Sequence, residues 1–144
     1  MRSDVTIFGA TGRGSEVLPR LPLPDTCVCD AMAVACPEHL LSAALHALRA
    51  LRRGKAISRT FSTEVMLYLV GTRQIKVAME RAGVKEGTKT FGIATLLPVE
   101  DVLSTLPVTR NDSVLLWSDE KGKRVGVGQC EEALELVASL ELRR

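Results

Sequence analysis

Aromatic side chains are nearly missing from this 144-residue chain: three Phe, one Tyr and one Trp, 3% in all. A buried core must therefore be built mostly from Leu, Val, Ile, Ala and Met. Long apolar runs are missing as well. None approaches the roughly 18–20 residues that a membrane-spanning helix needs. The opening MRSDVTIFGATG also lacks the continuous apolar centre and small-residue cleavage site of a signal peptide. These absences point to a cytosolic, cytoplasmic protein without a membrane partner. Catalytic patterns are missing too. There is no G-x-S-x-G elbow, and Glu38-His39 is not part of H-E-x-x-H. The four cysteines, at 27, 29, 36 and 130, contain no C-x-x-C, and His39 and His46 bring no second ligand pair. No metal and no catalytic residue set is expected. The cysteines read as core thiols, with Cys27 and Cys29 on one face of a strand.

What is present is an ordinary soluble composition, 46% apolar and 25% charged, long enough for a single domain over 1–144 with a real core. Net charge is only +2, but it is unevenly spread. Residues 49–89 carry ten Lys or Arg against three acids, whereas the flanking segments are each slightly acidic. The middle of the chain is thus a candidate surface for phosphate or nucleic acid. Solvated helix faces are the plainer explanation of the same charges.

Patterning predicts strands over Val5–Phe8, Cys27–Cys36 and Thr90–Leu97. It predicts two more over Ser113–Trp117 and Arg124–Val127, around a hairpin turn at Asp119–Gly122. A helix is expected from Pro37, with Leu40, Leu41, Ala44, Leu45, Leu48 and Leu51 inward and Gly54 closing it. Short helices follow over Ser62–Val70, from Thr72 to a left-handed stop at Gly83, and from Pro98 to Leu106. A last one covers QCEEALELVASLEL. The order implies an α/β or α+β sandwich, a mixed, mostly antiparallel sheet packed with several helices.

The chain opens on VTIFGATGRG, a β-branched run feeding glycines spaced G-x-x-G-x-G. Such an opening raises a dinucleotide (NAD(P)) site, which requires a helix whose N-terminus holds the pyrophosphate. Here Pro19, Pro22 and Pro24 follow at once, and a proline inside a helix costs about 3 kcal/mol. Gly9, Gly12 and Gly14 are then expected in a flexible loop joining an outer strand to the one at Cys27. The NAD(P) domain is kept as the alternative reading. Glu64, alone in an apolar helix, reads as a hydrogen-bonded structural carboxylate. Phe61 and Tyr68 read as core.

DAMAVACPEHLLSAALHAL and GKAISRTFSTEVMLYLVGTRQIKVAMERAGVKEGTKTFGIA together resemble a known family. Glu38-His39-Leu40 after an apolar strand, Gly54-Lys55 with Ser58-Arg59, Glu64 with Leu67-Tyr68, and Gly71-Thr72-Arg73-Gln74-Ile75 carry the likeness. They resemble the small subunit of the KEOPS complex, the PRPK-binding protein family of archaea and eukaryotes. The likeness covers about residues 30–97, and the chain length suits an archaeal member. It implies a non-enzymatic accessory protein without cofactor or small-molecule substrate. Its partners would be the Bud-type kinase-like subunit of the complex, whose ATPase it stimulates, and tRNA, notably the single-stranded CCA end. The implied outcome is support of threonylcarbamoyladenosine synthesis.

Lys55, Arg59, Arg73, Gln74 and Lys76 are then the candidate tRNA-binding residues, with salt-dependent phosphate contacts and Gln74 toward a base edge. Leu134, Ala138 and Leu142 form a second apolar stripe on the last helix and are the candidate kinase-binding residues. Burial of that helix on two sides is the alternative. A third reading is an interaction module with no RNA contact at all.

Overall fold

A computed structural model describes residues 5–142. Four strands are found among them: β1 (Thr6–Gly12), β2 (Thr26–Asp30), β3 (Thr90–Thr95) and β4 (Val108–Arg110). They form one sheet in the order β2-β3-β1-β4, antiparallel throughout. The helices are α1 (Gly14–Val17), α2 (Pro37–Arg52), α3 (Phe61–Val70), α4 (Ile75–Ala82), α5 (Val99–Thr105), α6 (Asp119–Val125) and α7 (Cys130–Leu142). This is an α+β fold, as the patterning implies.

Strand alternation gives the sheet two apolar faces. Phe8, Ala10, Val28, Phe91 and Ile93 pack with Val102 of α5 and Leu106. Cys27, Cys29 and Ala94 face the other way, into the larger cluster built by α2 and α3. On α2 the inward side is the alanine-rich one: Leu40, Ala43, Ala44, Ala47 and Leu48 are buried, whereas Leu41 is exposed and Leu45 half-buried. The predicted stripe is rotated: Ala43, Ala47 and Ala50 are buried where Leu41 and Leu45 are not. The leucines left outside become part of a surface described below.

The opening glycines are not in a loop. Gly9 and Gly12 lie within β1, which is an inner strand between β3 and β4. Gly12 N–H donates to the Lys89 carbonyl (3.0 Å) and Gly14 N–H to the Thr88 carbonyl (2.7 Å). A Cβ on Gly14 would stand 1.8 Å from the Lys85 carbonyl oxygen. The place where a cofactor's pyrophosphate would approach is thus filled by the chain's own 85–89 segment. The helix beyond, α1, is four residues long before a 3-10 turn at Leu18–Arg20. Gly14→Ala is expected to destabilise by about 1–3 kcal/mol through overpacking. Gly87→Ala, with nothing within 4 Å of the added methyl, should change stability by less than about 0.5 kcal/mol. Urea unfolding midpoints of the two variants test this pair, and equal midpoints would refute the packing role.

The predicted hairpin at 113–127 does not form. Residues Asp112–Leu115 make a 3-10 turn, and the second predicted strand is the end of α6 and the turn after it. Ser118 caps α6 by accepting from Lys121 N–H (3.2 Å), with Asp119 and Glu120 in its first turn, where the dipole favours acids. Lys121 is buried, and its ammonium donates to the carbonyls of Leu116 (3.0 Å) and Val114. Burial pushes the pKa of this amine down. The apolar strand-like signal of the Ser113–Trp117 run is overridden by this cap and clasp. Strand β2 ends at Asp30, earlier than expected, because that carboxylate turns back to accept from Met32 N–H (2.9 Å). Gly83 ends α4 with φ −69 rather than in the left-handed region. Its small size is still needed, since a Cβ would lie 2.5 Å from the Met79 carbonyl oxygen.

Candidate functional site

Helix α2 ends in a cationic cluster. Gly54 adopts φ +68, and Gly54 and Lys55 return their N–H groups to the carbonyls of Leu51 (3.2 Å) and Ala50 (2.9 Å). This C-terminal turn gathers Arg49, Arg53 and Lys55 around one shallow cleft, with Glu141 of α7 on its rim. Arg52 joins Arg49 and Arg53 in an adjacent cleft. Four cations at a helix C-terminus also complement the dipole there.

The segment that follows is held from beneath by Glu64. Its side chain is fully buried and accepts from Ile57 N–H (3.1 Å), Ser58 N–H (2.9 Å) and the Ser58 hydroxyl (2.9 Å). It is a structural carboxylate, as its apolar surroundings imply. The next residue, Arg59, is exposed on the wall of a cleft of about 720 Å³ between the start of α3 and the Pro22–Asp25 segment. Leu48, Leu51 and Leu96 give this cleft its apolar floor, and Thr60, Ser62 and Thr63 its polar edge. Thr60 caps α3 by accepting from Thr63 N–H (3.2 Å).

The remaining candidates lie at the other end of α3. Gly71, at φ +79, closes that helix, and Thr72 Oγ1 accepts from Gln74 N–H (3.1 Å). Arg73, Gln74 and Lys76 are exposed here, beside the half-exposed Ile75 and Met79. The ten residues of α3 rise about 15 Å. The five candidate RNA residues thus fall into two groups, Lys55 with Arg59 and Arg73 with Gln74 and Lys76, flanking the buried α3. Phe61 and Tyr68 are both core residues of that helix. Arg49, Arg52 and Arg53, which reinforce the first group, are legible in the sequence only as part of the basic 49–89 segment, not as individual site residues.

On α7, Ala133, Val137 and Leu140 face inward and are fully buried. The second stripe faces out. Leu134 is half-buried, Ala138 is exposed, and Leu142 is 85% exposed. Leu134 completes a groove of about 300 Å³ with Leu41, Leu45, His46 and Glu38 of α2. These are the leucines that the rotated packing of α2 leaves outside. The ring of the groove residue His46 lies 5.4 Å from that of Tyr68, whose hydroxyl donates to Glu141 Oε2 (2.5 Å).

The cysteines divide into two pairs. Cys27 and Cys29 are free and fully buried, as expected of core thiols. Hydrogen bonding to Cys27, together with burial, pushes the Cys29 thiol up. Cys36 and Cys130 are not thiols but a disulfide. Their two sulfurs and a Glu38 oxygen lie within 4.8 Å of one another, yet the covalent bond takes both sulfurs out of metal ligation. A pairing across 94 residues has no local signature, so the reading of all four as thiols is corrected by the fold alone. Asp30, at the distance from the glycines where a ribose-binding acid would lie, is engaged by Met32 N–H and by Arg124 (3.1 Å).

Among the described residues no helix is long and apolar enough to cross a membrane. No curated protein matches the chain. A family model described as kinase binding protein CGI-121 matches residues 15–115, well over half of the sequence.

Proposed function

We propose that this chain, which belongs to the kinase binding protein CGI-121 family, is a non-enzymatic accessory subunit of the KEOPS complex, acting in the cytoplasm. It binds a kinase-like ATPase subunit through the groove between α2 and α7 that Leu134 lines, together with the outward-facing Ala138 and Leu142 of the same helix. It binds tRNA through the basic groups at the two ends of α3, and so supports threonylcarbamoyladenosine synthesis. It works as one domain and needs no cofactor or small-molecule substrate.

The observation that carries the RNA half is the pairing of a cationic cluster with a partly apolar cleft. Arg49, Arg52, Arg53 and Lys55 lead directly to Arg59 on the cleft wall. A single-stranded end needs this combination, cations for phosphates and an apolar or planar surface for unstacked bases. Arg59 can serve as both, since its guanidinium plane stacks as well as pairs. The second group offers Gln74 to a base edge and Arg73 and Lys76 to phosphates.

Filter binding with intact tRNA and with tRNA lacking its CCA end tests this reading. Intact tRNA should be retained at least tenfold better. Charge reversal at Arg59, or at Arg73 with Lys76, should weaken retention by about tenfold and lower the salt slope by about one for each phosphate no longer neutralised. Equal, negligible retention of both RNAs would overturn the RNA half. Co-elution with the kinase-like subunit in that case would leave a protein-only interaction module.

A further inference from the structure

Cys36 is the N-cap residue of α2, and Cys130 is the first residue of α7. Their disulfide therefore ties the family-matched region to the segment beyond residue 115. Around it lies a small apolar cluster in which Ala35 and Ala133 are fully buried. The approach to α7 runs along the surface: Gly126, Gly128 and Gln129 are exposed, Gly128 N–H turns to Glu132 of α7, and Val125 and Val127 pack against the small cluster. The other end of α7 is held by the Tyr68–Glu141 hydrogen bond. One covalent and one polar contact thus bracket the helix, on either side of the buried face of Ala133, Val137 and Leu140.

Access sets this sulfur pair apart from the other one. Cys27 and Cys29 are sealed beneath the sheet, whereas Cys130 is only partly buried, with Glu38 Oε1 3.8 Å from its sulfur. Thiol–disulfide exchange requires that an attacking thiolate reach one sulfur. Exposed disulfides are the ones that respond to the surrounding thiol pool, and reducing compartments open them.

We infer that Cys36–Cys130 is a redox clasp: the disulfide holds the start of α7 on α2, and its reduction releases that end. In the opening step a small thiolate of the glutathione class attacks Cys130 Sγ. The protein S–S bond breaks, and the Cys36 sulfur leaves with the electron pair and takes up a proton. A second small thiol then displaces Cys130 as a thiol and departs as the small-molecule disulfide. Two small thiols are oxidised while one protein disulfide becomes two thiols. A small-molecule disulfide is the oxidant for the reverse. Glu38 belongs both to the clasp's surroundings and to the α2–α7 groove, so opening should degrade that groove. This consequence for the kinase rests on the docking surface proposed above, whereas the clasp itself does not.

The full-length protein is equilibrated with oxidised glutathione or with dithiothreitol, and two readouts are taken. Alkylation after denaturation should count two thiols in the oxidised sample and four in the reduced one. Amide hydrogen exchange across residues 131–142 should speed up at least tenfold on reduction, while β1 and β3 change less than twofold. The double variant C36S/C130S should exchange like the reduced protein and ignore dithiothreitol. Four alkylated thiols in the glutathione-treated sample, or unchanged exchange in α7 after reduction, would overturn the clasp. Kinase affinity measured on the same samples should fall about tenfold on reduction. Faster α7 exchange with unchanged kinase affinity would support the clasp and move the kinase off the groove.

Discussion

Glu64→Leu is expected to destabilise the protein by about 3–5 kcal/mol and to weaken tRNA retention at the same time. The carboxylate is fully buried and accepts from three donors of the 57–58 segment, two backbone N–H groups and one hydroxyl. Hydrogen bonds to a charged acceptor contribute about 1.5–3 kcal/mol each. Leucine matches the size of the side chain but abandons all three donors. Water reaches part of this half-buried segment and offsets some of the loss, which places the figure below the full sum. The functional effect follows from position: the bonded residues lie between Lys55 and Arg59, so releasing them loosens the loop that presents both. Glu64→Gln keeps the shape and one acceptor oxygen but points an NH₂ at a donor, so its loss should be intermediate. Urea unfolding followed by circular dichroism gives the stability, and filter binding gives the RNA effect. A Glu64→Leu midpoint within about 0.5 kcal/mol of wild type would show that the carboxylate does not hold the loop.

Glu64 also shows what the sequence can and cannot say. A single acid among Val65, Met66, Leu67 and Leu69 has to be buried and bonded, and it is. Its partners, seven and six residues upstream, follow no fixed helical offset and emerge only from the loop's path. Helices α2 to α5 are legible because their ends are punctuated by Pro37, Gly54, Thr60, Gly71 and Pro98. Strand β1 runs past Phe8, against the expectation of a loop, because glycine usually marks a turn and here does not. Gly9 pairs with Gly92 so that Leu115 can pack over both and Val114 over Gly9, a reason that lies more than 80 residues away in sequence. The stretch after Ser113 departs from the expected hairpin because a short apolar run is ambiguous until its capping partners are known. In the sequence the candidate RNA residues form one basic segment. Only the buried course of α3 reveals that the segment presents two groups rather than one.

Acidification should destabilise this protein between pH 6.5 and about 4, and His39 should account for about 3 kcal/mol of that loss. The ring is fully buried at the start of α2. Its Nδ1 accepts from Ala35 N–H (3.0 Å), and its Nε2 faces the Leu69 carbonyl at 2.9 Å and so carries the ring proton. Both nitrogens are thereby assigned to the neutral form, because a second proton on Nδ1 would confront the Ala35 N–H. Burial lowers the pKa to about 4, against the opposing pull of the Leu69 carbonyl. Below pH 6.5 the unfolded chain binds a proton that the folded chain refuses. Stability therefore falls by about 1.4 kcal/mol per unit as pH drops, until the folded ring titrates near 4. Above pH 6.5 both states hold the neutral ring, and His39 adds no slope. His39→Leu should lower stability at pH 7, since it strands the Ala35 N–H and the Leu69 carbonyl, at about 1–3 kcal/mol for each buried group left unpaired. It should also flatten the acid limb. The measurement is urea unfolding of both proteins from pH 4 to 8. Wild-type stability minus that of the variant should be constant above 6.5 and shrink below it, because only the wild type has this proton to refuse. A difference that stays constant down to pH 4 would mean that the folded ring accepts a proton, and hence that the Ala35–His39–Leu69 bridge opens in acid rather than resisting it.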